Sequence, residues 1–583
     1  MQHMQHKNTK TQKQKQKNKK KSRLSFTQAL IFIYIFFVFF VFFCEHTHIF
    51  IHTLFRTMSS DAIKKGLEAF TAYLESQQLD KKKYQFAGVK WCLKNELGDR
   101  SNVFGIRGGF IADEMGLGKT IMMIGTFIGN PLSHTLIVLP PILIDQWYLQ
   151  IRRTTGHKAL IYHAENKKTI SFIDLRNAPI VITTYGALTI SKSAFEAGFA
   201  KGEAPMATAQ RECPLFKIKW SRAVFDEAHH LRNKTACHRS VNLLNAKIRW
   251  LVSGTPVQNR GSDFHNLCAV LRIPSLFYSD PSNLRLLLSS FLLKRSKKDV
   301  GIQLPSLILV QNVVNWQSCE EMTLSKEIHS ALTCTGGSIM QGAIADIVHD
   351  GGHLSAFIRA KQMCIWPSLL LPMLEKSDPT IHHQLLHKYK DALSSASKLK
   401  SVVDRILQRK HNGNGKLVFC NFRREIDEIR RRLESGGMTS VDTFDGRVSN
   451  KRRNEILSQR KDVLILQIQT GCEGLNLQEH YSEIYFVSPH WNPSIEDQAI
   501  ARCHRIGQTK PVLVEKFVMS SHFEAPDAAV TSVVEVLEED TSAAADISVE
   551  TYMRHVQKDK RKMVCAMLDV DKKSRCCKKS KYC

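Results

Sequence analysis

Acidic residues are scarce in this chain of 583 residues: 54 Asp and Glu stand against 82 Lys and Arg, a formal charge of +28. That imbalance suits a polyanionic partner, nucleic acid ahead of a membrane surface, and says nothing about fold. Paired cysteines are missing too. The 15 cysteines are scattered, with no CxxC units at zinc-ribbon or RING spacing. Scattered thiols in a large chain indicate a reducing compartment and exclude a secreted disulfide scaffold. There are no internal repeats. The signature of disorder is also lacking, because hydrophobic residues make up 43% and charged residues 23%. The length allows about three to five structural units.

Long apolar runs are almost absent, and the exception lies near the start. A Lys/Gln/Asn run at 7–23 precedes an apolar stretch, Ala29–Cys44, of 16 residues. At 1.5 Å per residue this spans about 24 Å, short of a hydrocarbon core of about 30 Å. The order of basic and apolar regions is that of a signal peptide or anchor, but Phe43-Cys44-Glu45-His46 offers no small-residue cleavage site. Lys, Asn, Phe and Ile are also what A/T-rich untranslated sequence encodes. Residues 1–57 are therefore expected to lie outside the true or mature protein, with translation starting at Met58. Membrane contact is expected only if residues 24–44 are real. The basic excess survives their removal.

From Tyr84 to Met519 short β-branched runs alternate with amphipathic stretches. Residues 135–141, 179–185, 223–229, 249–255, 416–421, 462–467 and 483–489 read as buried parallel strands, each ending in a polar or Gly-containing loop. Four precede residue 256 and three follow 415, which predicts two α/β lobes. The expected division is 58–310 for the first lobe, 311–395 for a connector and 396–520 for the second lobe. An acidic insertion at 521–546 and a helix with a basic tail at 547–583 complete it. Ligands of open α/β sheets sit beyond the carboxyl ends of such strands.

A further strand end, ahead of these seven, carries a nucleotide signature. Asp113-Glu114-Met115-Gly116-Leu117-Gly118-Lys119-Thr120 follows apolar Phe110-Ile111-Ala112 and precedes a helical run. A Gly-rich turn of this kind aims backbone N–H groups at phosphates; Lys119 would reach the β/γ-phosphates and the Thr120 hydroxyl would ligate Mg²⁺. The strict pattern has Gly where this chain has Asp113. Asp226 and Glu227 close another strand 107 residues after Lys119. A carboxylate there can hold Mg²⁺, and its neighbour can orient or deprotonate the attacking water.

Together with the strings on either side of them, these residues resemble the Swi/Snf-type ATPases of helicase superfamily two over roughly 80–520. Tyr84-Gln85 with Gly88 and Trp91 is similar to the glutamine motif beside the adenine, and GGFIADEMGLGKT (108–120) to the family's own P-loop, Asp113 included. LIVLPPILIDQW (136–147), TTYGAL (183–188), DEAHHLRN (226–233) and SGTPVQN (253–259) come next in the family's order. The second half has LLKRSKKDV, SKLK, VFCNFRREID, FDGRVSNKRR, QTGCEGLNLQ and HWNPSIEDQAIARCHRIGQ, the last the most distinctive.

The resemblance implies two tandem RecA-like parallel-sheet lobes with helical insertions, using ATP and Mg²⁺. It implies nucleotide contacts from Gln85, Asp113, Glu114, Met115, Gly116, Leu117, Gly118, Lys119, Thr120 and Gln508, and metal contacts from Thr120 and Asp226. Lys119, Asp226, Glu227, Arg502 and Arg505 would be catalytic, the two arginines sharing one face of a predicted helix. Gly471, Gly474 and Asn476 suit a loop near phosphate, with Trp491 packed under it. The expected partner is double-stranded DNA, together with DNA-bound proteins such as histones or transcription and repair factors. The expected setting is the nucleus, or a viral factory or virion. The chain shows no bromodomain, chromodomain or RING finger, and Cys319, Cys334 and Cys364 of the connector are too few for a RING. The helix at 548–562, beyond the acidic insertion, resembles the family's bracing helix. An RNA-directed helicase and a non-catalytic DNA-binding scaffold are the alternative readings.

Overall fold

The computed structural model describes residues 60–97, 104–333, 344, 348, 352–471, 475–521 and 548–568. The expectations for 1–57, for 521–546 beyond Ser521, for Cys334, for Gly474 and for the basic tail lie outside these residues.

Two parallel sheets organise the chain. The first has seven strands in the order β3-β4-β2-β5-β6-β1-β7: β1 Arg107–Ile111, β2 Thr135–Leu139, β3 Leu160–Tyr162, β4 Ile180–Thr184, β5 Trp220–Asp226, β6 Ala246–Val252 and β7 Leu292–Leu293. The second has six in the order β10-β11-β9-β12-β13-β8: β8 Leu307–Val314, β9 Gly415–Cys420, β10 Val441–Phe444, β11 Val463–Gln467, β12 Tyr481–Phe486 and β13 Val512–Met519. The seven strands read from sequence are all present and parallel, displaced by one to three residues. β2, β4 and β9 are buried along their whole length, because helices cover both faces of each sheet.

Strand β8 crosses the expected lobe boundary at 310. It pairs in full register with β13 from Leu307–Val512 to Val314–Met519 and so belongs to the second sheet. The chain therefore enters lobe two at β8, and the described helices between 319 and 394 pack with that lobe.

A buried charge cluster fixes the helix before β1 to its sheet. In helix Lys83–Leu97, Glu96 accepts from Arg222 Nε at 2.6 Å, Arg222 Nη2 at 2.5 Å and Trp250 Nε1 at 2.8 Å. Arg222 also donates to the Asn130 carbonyl at 2.8 Å, so Glu96 anchors the element that carries Gln85.

The last described helix, Val549–Leu568, touches both lobes. At its start Glu550 pairs with Lys398, both wholly buried, and accepts from the Met519 N–H at 2.9 Å. At its end Leu568 joins the lobe-one core, with Met563, Val564 and Met567 packed beside it. Among the described residues no helix is long and apolar enough to cross a membrane.

Candidate nucleotide site and the lobe interface

The carboxyl ends of β1, β5 and β6 converge. After β1 the chain turns through Gly116 (φ 89°) and Gly118 (φ 79°) before helix Lys119–Gly129 begins. Both glycines occupy the left-handed region that side chains disfavour. A Cβ at Gly118 would also lie 2.6 Å from Gln85 Nε2. No side chain caps this helix, so its first N–H groups are left to the loop.

Lys119 is half-buried at the helix start, and its ammonium donates to the Asp113 carbonyl at 3.0 Å. Burial pulls its pKa down, opposed by Glu227, Asp226 and Asp113, and Arg502 pushes in the same direction as burial. Thr120 is half-buried beside it. Across the site, Asp226 accepts from Trp147 Nε1 at 2.7 Å and from the Glu227 N–H at 3.0 Å. Glu227 sits in a left-handed conformation, φ 49° and ψ 49°, which costs about 1–2 kcal/mol for a residue with a Cβ. That turn places one carboxylate immediately after the other.

The two carboxyls are driven apart electrostatically. Burial, then the neighbouring Glu227, raises Asp226. Burial would raise Glu227 as well, but contact with His229 and the charges of Lys119 and Arg502 outweigh it and hold Glu227 down. Glu227 Oε2 is 3.3 Å from His229 Nδ1, outside hydrogen-bond geometry, and is otherwise without a partner. A buried carboxylate pair of this kind is completed by a cation. The Asp226 carboxylate with the Thr120 hydroxyl is an all-oxygen donor set of the type Mg²⁺ takes, with most of its shell left to phosphate and water.

Lobe two meets this site through the segment after helix Pro493–Ile500. The helix expected to carry both arginines ends at Ile500: the Arg502 and Cys503 N–H groups turn back to Ala499 and Ile500 carbonyls, and Gly507 (φ 97°) completes the reversal. Arg502 and Arg505 therefore sit in a turn, not on one helix face. Arg502 is 9% exposed, its Nε has no partner, and its charge acts on both Lys119 and Glu227 of lobe one. Arg505 donates to Asn476 Oδ1, and its Cβ lies 3.5 Å from where a side chain on Gly116 would begin.

Several expected nucleotide contacts are engaged elsewhere. The Asp113 carboxylate is bound by Arg295, with Nε at 3.1 and 3.2 Å and Nη2 at 2.5 Å, so this acid clasps β1 to the chain after β7. Arg295 also donates to the Tyr84 carbonyl at 2.6 Å. Glu114 pairs with Lys297 at 2.9 Å. Gln85 lies against the loop, 3.4 Å from the Leu117 carbonyl, and Leu117 itself is core. Met115 borders Gly254, 3.1 Å from a Cβ placed there. Gln508 is spent within lobe two: its Nε2 donates to Gln478, Tyr481 and Cys503 carbonyls at 3.0, 3.0 and 3.3 Å, and its Oε1 accepts from Thr509 and Lys510. Among the described residues Trp491 packs on Phe357, Tyr552 and Lys560, and the loop tip at 472–474 lies outside them. Trp491 is 39% exposed, edge-on to Phe357, with the Lys560 ammonium 4.5 Å over its ring.

The lobes are bridged by residues that sequence reasoning gave no role. Gln498 Nε2 donates to Thr255 Oγ1 at 3.1 Å, and Asn492 Nδ2 to Gln258 Oε1 at 2.7 Å. Lys297 Nζ donates to the His504 carbonyl at 3.1 Å, and the His504 ring meets the Pro305 carbonyl at 2.9 Å. The polar run SGTPVQN and the basic run LLKRSKKDV were the available signals.

A P-loop and a strand-end acidic pair in one parallel-sheet lobe, faced by buried arginine from a second, define a two-lobed helicase-type ATPase. Residues 84–365 match the SNF2-related domain and residues 397–507 the helicase conserved C-terminal domain. The chain belongs to the Swi/Snf-type family of helicase-related ATPases. It is similar to a probable global transactivator of Orgyia pseudotsugata multicapsid polyhedrosis virus, 25% identical over 75% of this chain and 86% of the relative. It is 27% identical to the ATP-dependent DNA helicase DDM1 of Arabidopsis thaliana, over 76% of this chain and 59% of that protein. Chromodomain-helicase-DNA-binding protein 8 of Danio rerio is 27% identical over 79% of this chain and 19% of its own length. The chain thus spans most of the viral relative but a smaller part of the plant and fish proteins.

Proposed function

We propose that this chain is a DNA-stimulated ATPase that tracks along double-stranded DNA without separating its strands and so displaces or remodels bound proteins. The observation that carries the reading is that lobe two brings buried Arg502 and its neighbour Arg505 to the phosphate loop, the Arg505 Cβ lying 3.5 Å from where a side chain on Gly116 would begin. In this reading Lys119 binds the β/γ-phosphates, while Thr120 and Asp226 would hold Mg²⁺, which would neutralise phosphate charge. Glu227, kept ionised by His229 and Lys119, orients the attacking water and accepts its proton. Arg502 and Arg505 complete the charge stabilisation only when the lobes are together. The helix Val549–Leu568 braces that state, since it is anchored in one lobe at each end.

The basic excess and the viral, remodelling-type and helicase relatives support duplex DNA as the polymer, and chromatin or transcription complexes as the setting. A nuclear location, or a viral factory or virion, fits the same relatives. The test is ATP hydrolysis with no polymer, duplex DNA, single-stranded DNA and RNA side by side, with displacement of a protein roadblock from duplex as a second readout. Stimulation by duplex above the other polymers is expected. Stimulation by RNA alone would favour the RNA-directed alternative.

A further inference from the structure

Lys297 stands at the mouth of the phosphate loop but comes from the chain that leaves lobe one for lobe two. Only 8% of it is exposed. Its ammonium lies 2.9 Å from Glu114 Oε1 and donates to the His504 carbonyl at 3.1 Å. Its backbone N–H donates to Glu114 Oε2 at 2.8 Å, and the Glu114 N–H donates to the Arg295 carbonyl at 2.9 Å. Glu114 is therefore tied to this segment through both backbone and side chain. The acceptor on the other side is the peptide unit joining His504 to Arg505. Lys297 Cε and Arg505 Cβ flank Gly116 together, 3.7 and 3.5 Å from where a side chain there would start.

We propose that Lys297 is a positioning residue: its ammonium, held by Glu114 of the phosphate loop, fixes the His504 carbonyl so that closing the lobes and seating Arg505 over the loop are one event. This rests on the reading that Arg502 and Arg505 act on nucleotide bound to lobe one. The chemistry is a charge-assisted bond made in one state only. With the lobes apart, Lys297 keeps its carboxylate and the His504 carbonyl turns to water. With them together, one buried ammonium serves an acceptor from each lobe. A contact made only in the closed state shifts the closed population without changing how lobe one binds nucleotide.

The full chain carrying Lys297→Met, Lys297→Arg or Glu114→Gln tests this. Three quantities are read: affinity for a labelled non-hydrolysable ATP analogue, turnover with and without duplex DNA, and lobe separation by energy transfer between dyes on the outer faces of the two lobes. Lys297→Met should cut DNA-stimulated kcat about tenfold or more while analogue Kd stays within about twofold, and should lower the closed population seen with analogue alone. Lys297→Arg should recover most of both losses, and adding Glu114→Gln to Lys297→Met should cost little more. Parental kcat and closure in Lys297→Met would overturn the proposal. So would loss of analogue binding in step with kcat, which would place Lys297 on the nucleotide. If Lys297→Met does not fold, Glu114→Gln carries the test, because it removes the carboxylate that holds the ammonium and should lower closure. Absence of DNA stimulation in the parental chain would defeat the functional reading instead, and analogue-driven closure would still judge Lys297.

Discussion

Each lobe runs a strand into a helix, β1 as the sixth strand of its sheet and β9 as the third of the other, and the two junctions are finished differently. In lobe one, β1 leads through two left-handed glycines to a helix whose first turn has no side-chain cap. In lobe two, β9 leads to helix Arg423–Ser435, and Glu425 reaches back to accept from the Asn421 and Phe422 N–H groups, both at 2.9 Å. Neither helix has a side-chain cap on its first turn, but in lobe two the chain's own carboxyl occupies the strand-to-helix turn and takes the two N–H groups just before the helix. The lobe-one turn is left open, and the lobe-two turn is closed by the chain's own Glu425. Lobe two faces the lobe-one turn with Arg502 and Arg505. That division is why neither lobe is expected to turn over nucleotide alone.

The sharpest way to break the comparison is at the phosphate loop. Lys119→Ala should abolish turnover, and Glu227→Gln should slow hydrolysis at least about a hundredfold while keeping nucleotide affinity, because Asp226 remains. Steady-state turnover beside equilibrium binding checks both, and parental turnover in Glu227→Gln would remove it from the water-positioning role.

Next in size is the buried ion pair beneath lobe one. Glu96→Ala leaves the Arg222 guanidinium buried among Asn130, Thr135 and Trp250 with no carboxylate, and should cost about 3–5 kcal/mol. Denaturant unfolding followed separately in each lobe should show the loss in lobe one. An equal loss in lobe two would mean that the lobes unfold as one unit.

The smallest effect sharpens the lobe-two side. Burial lifts Glu425 to about 7 against the Phe422 and Asn421 N–H groups and Lys361. A carboxyl raised above its unfolded value of 4.5 supports the fold below that pH and loses the support as pH rises through about 7. Glu425→Gln should therefore be the less stable form near pH 5 and should gain on the parent by about 1–3 kcal/mol by about pH 7.5. Parallel pH profiles for the two proteins would show that Glu425 stays ionised.

What could be read from the chain alone was what is local. The phosphate loop, Asp226-Glu227 and seven strands are contiguous strings whose chemistry is complete within about ten residues. The strands that escaped notice have physical reasons for it. β7 has two residues, β3 three and β10 four, and β13 carries Glu515 and Lys516 in its middle. β8 exposes Leu307, Ile308, Leu309 and Val313 at a sheet edge, so it lacks the profile of a covered strand. Asp113 looked like a departure from the phosphate-loop pattern because its partner, Arg295, lies 182 residues away. Arg502 and Arg505 looked like neighbours on a helix because nothing in IARCHRIGQ marks the stop at Ile500 as strongly as Gly507 marks the turn.

Turnover should need arginine from lobe two in a site that lobe one can fill unaided. Arg502→Ala/Arg505→Ala tests this most directly, with analogue affinity measured beside turnover in the presence and absence of duplex DNA. Analogue and DNA affinities should stay within a few-fold of the parent, while DNA-stimulated hydrolysis falls by about 10³-fold or more. Normal DNA stimulation in the double variant would contradict the two-lobe mechanism.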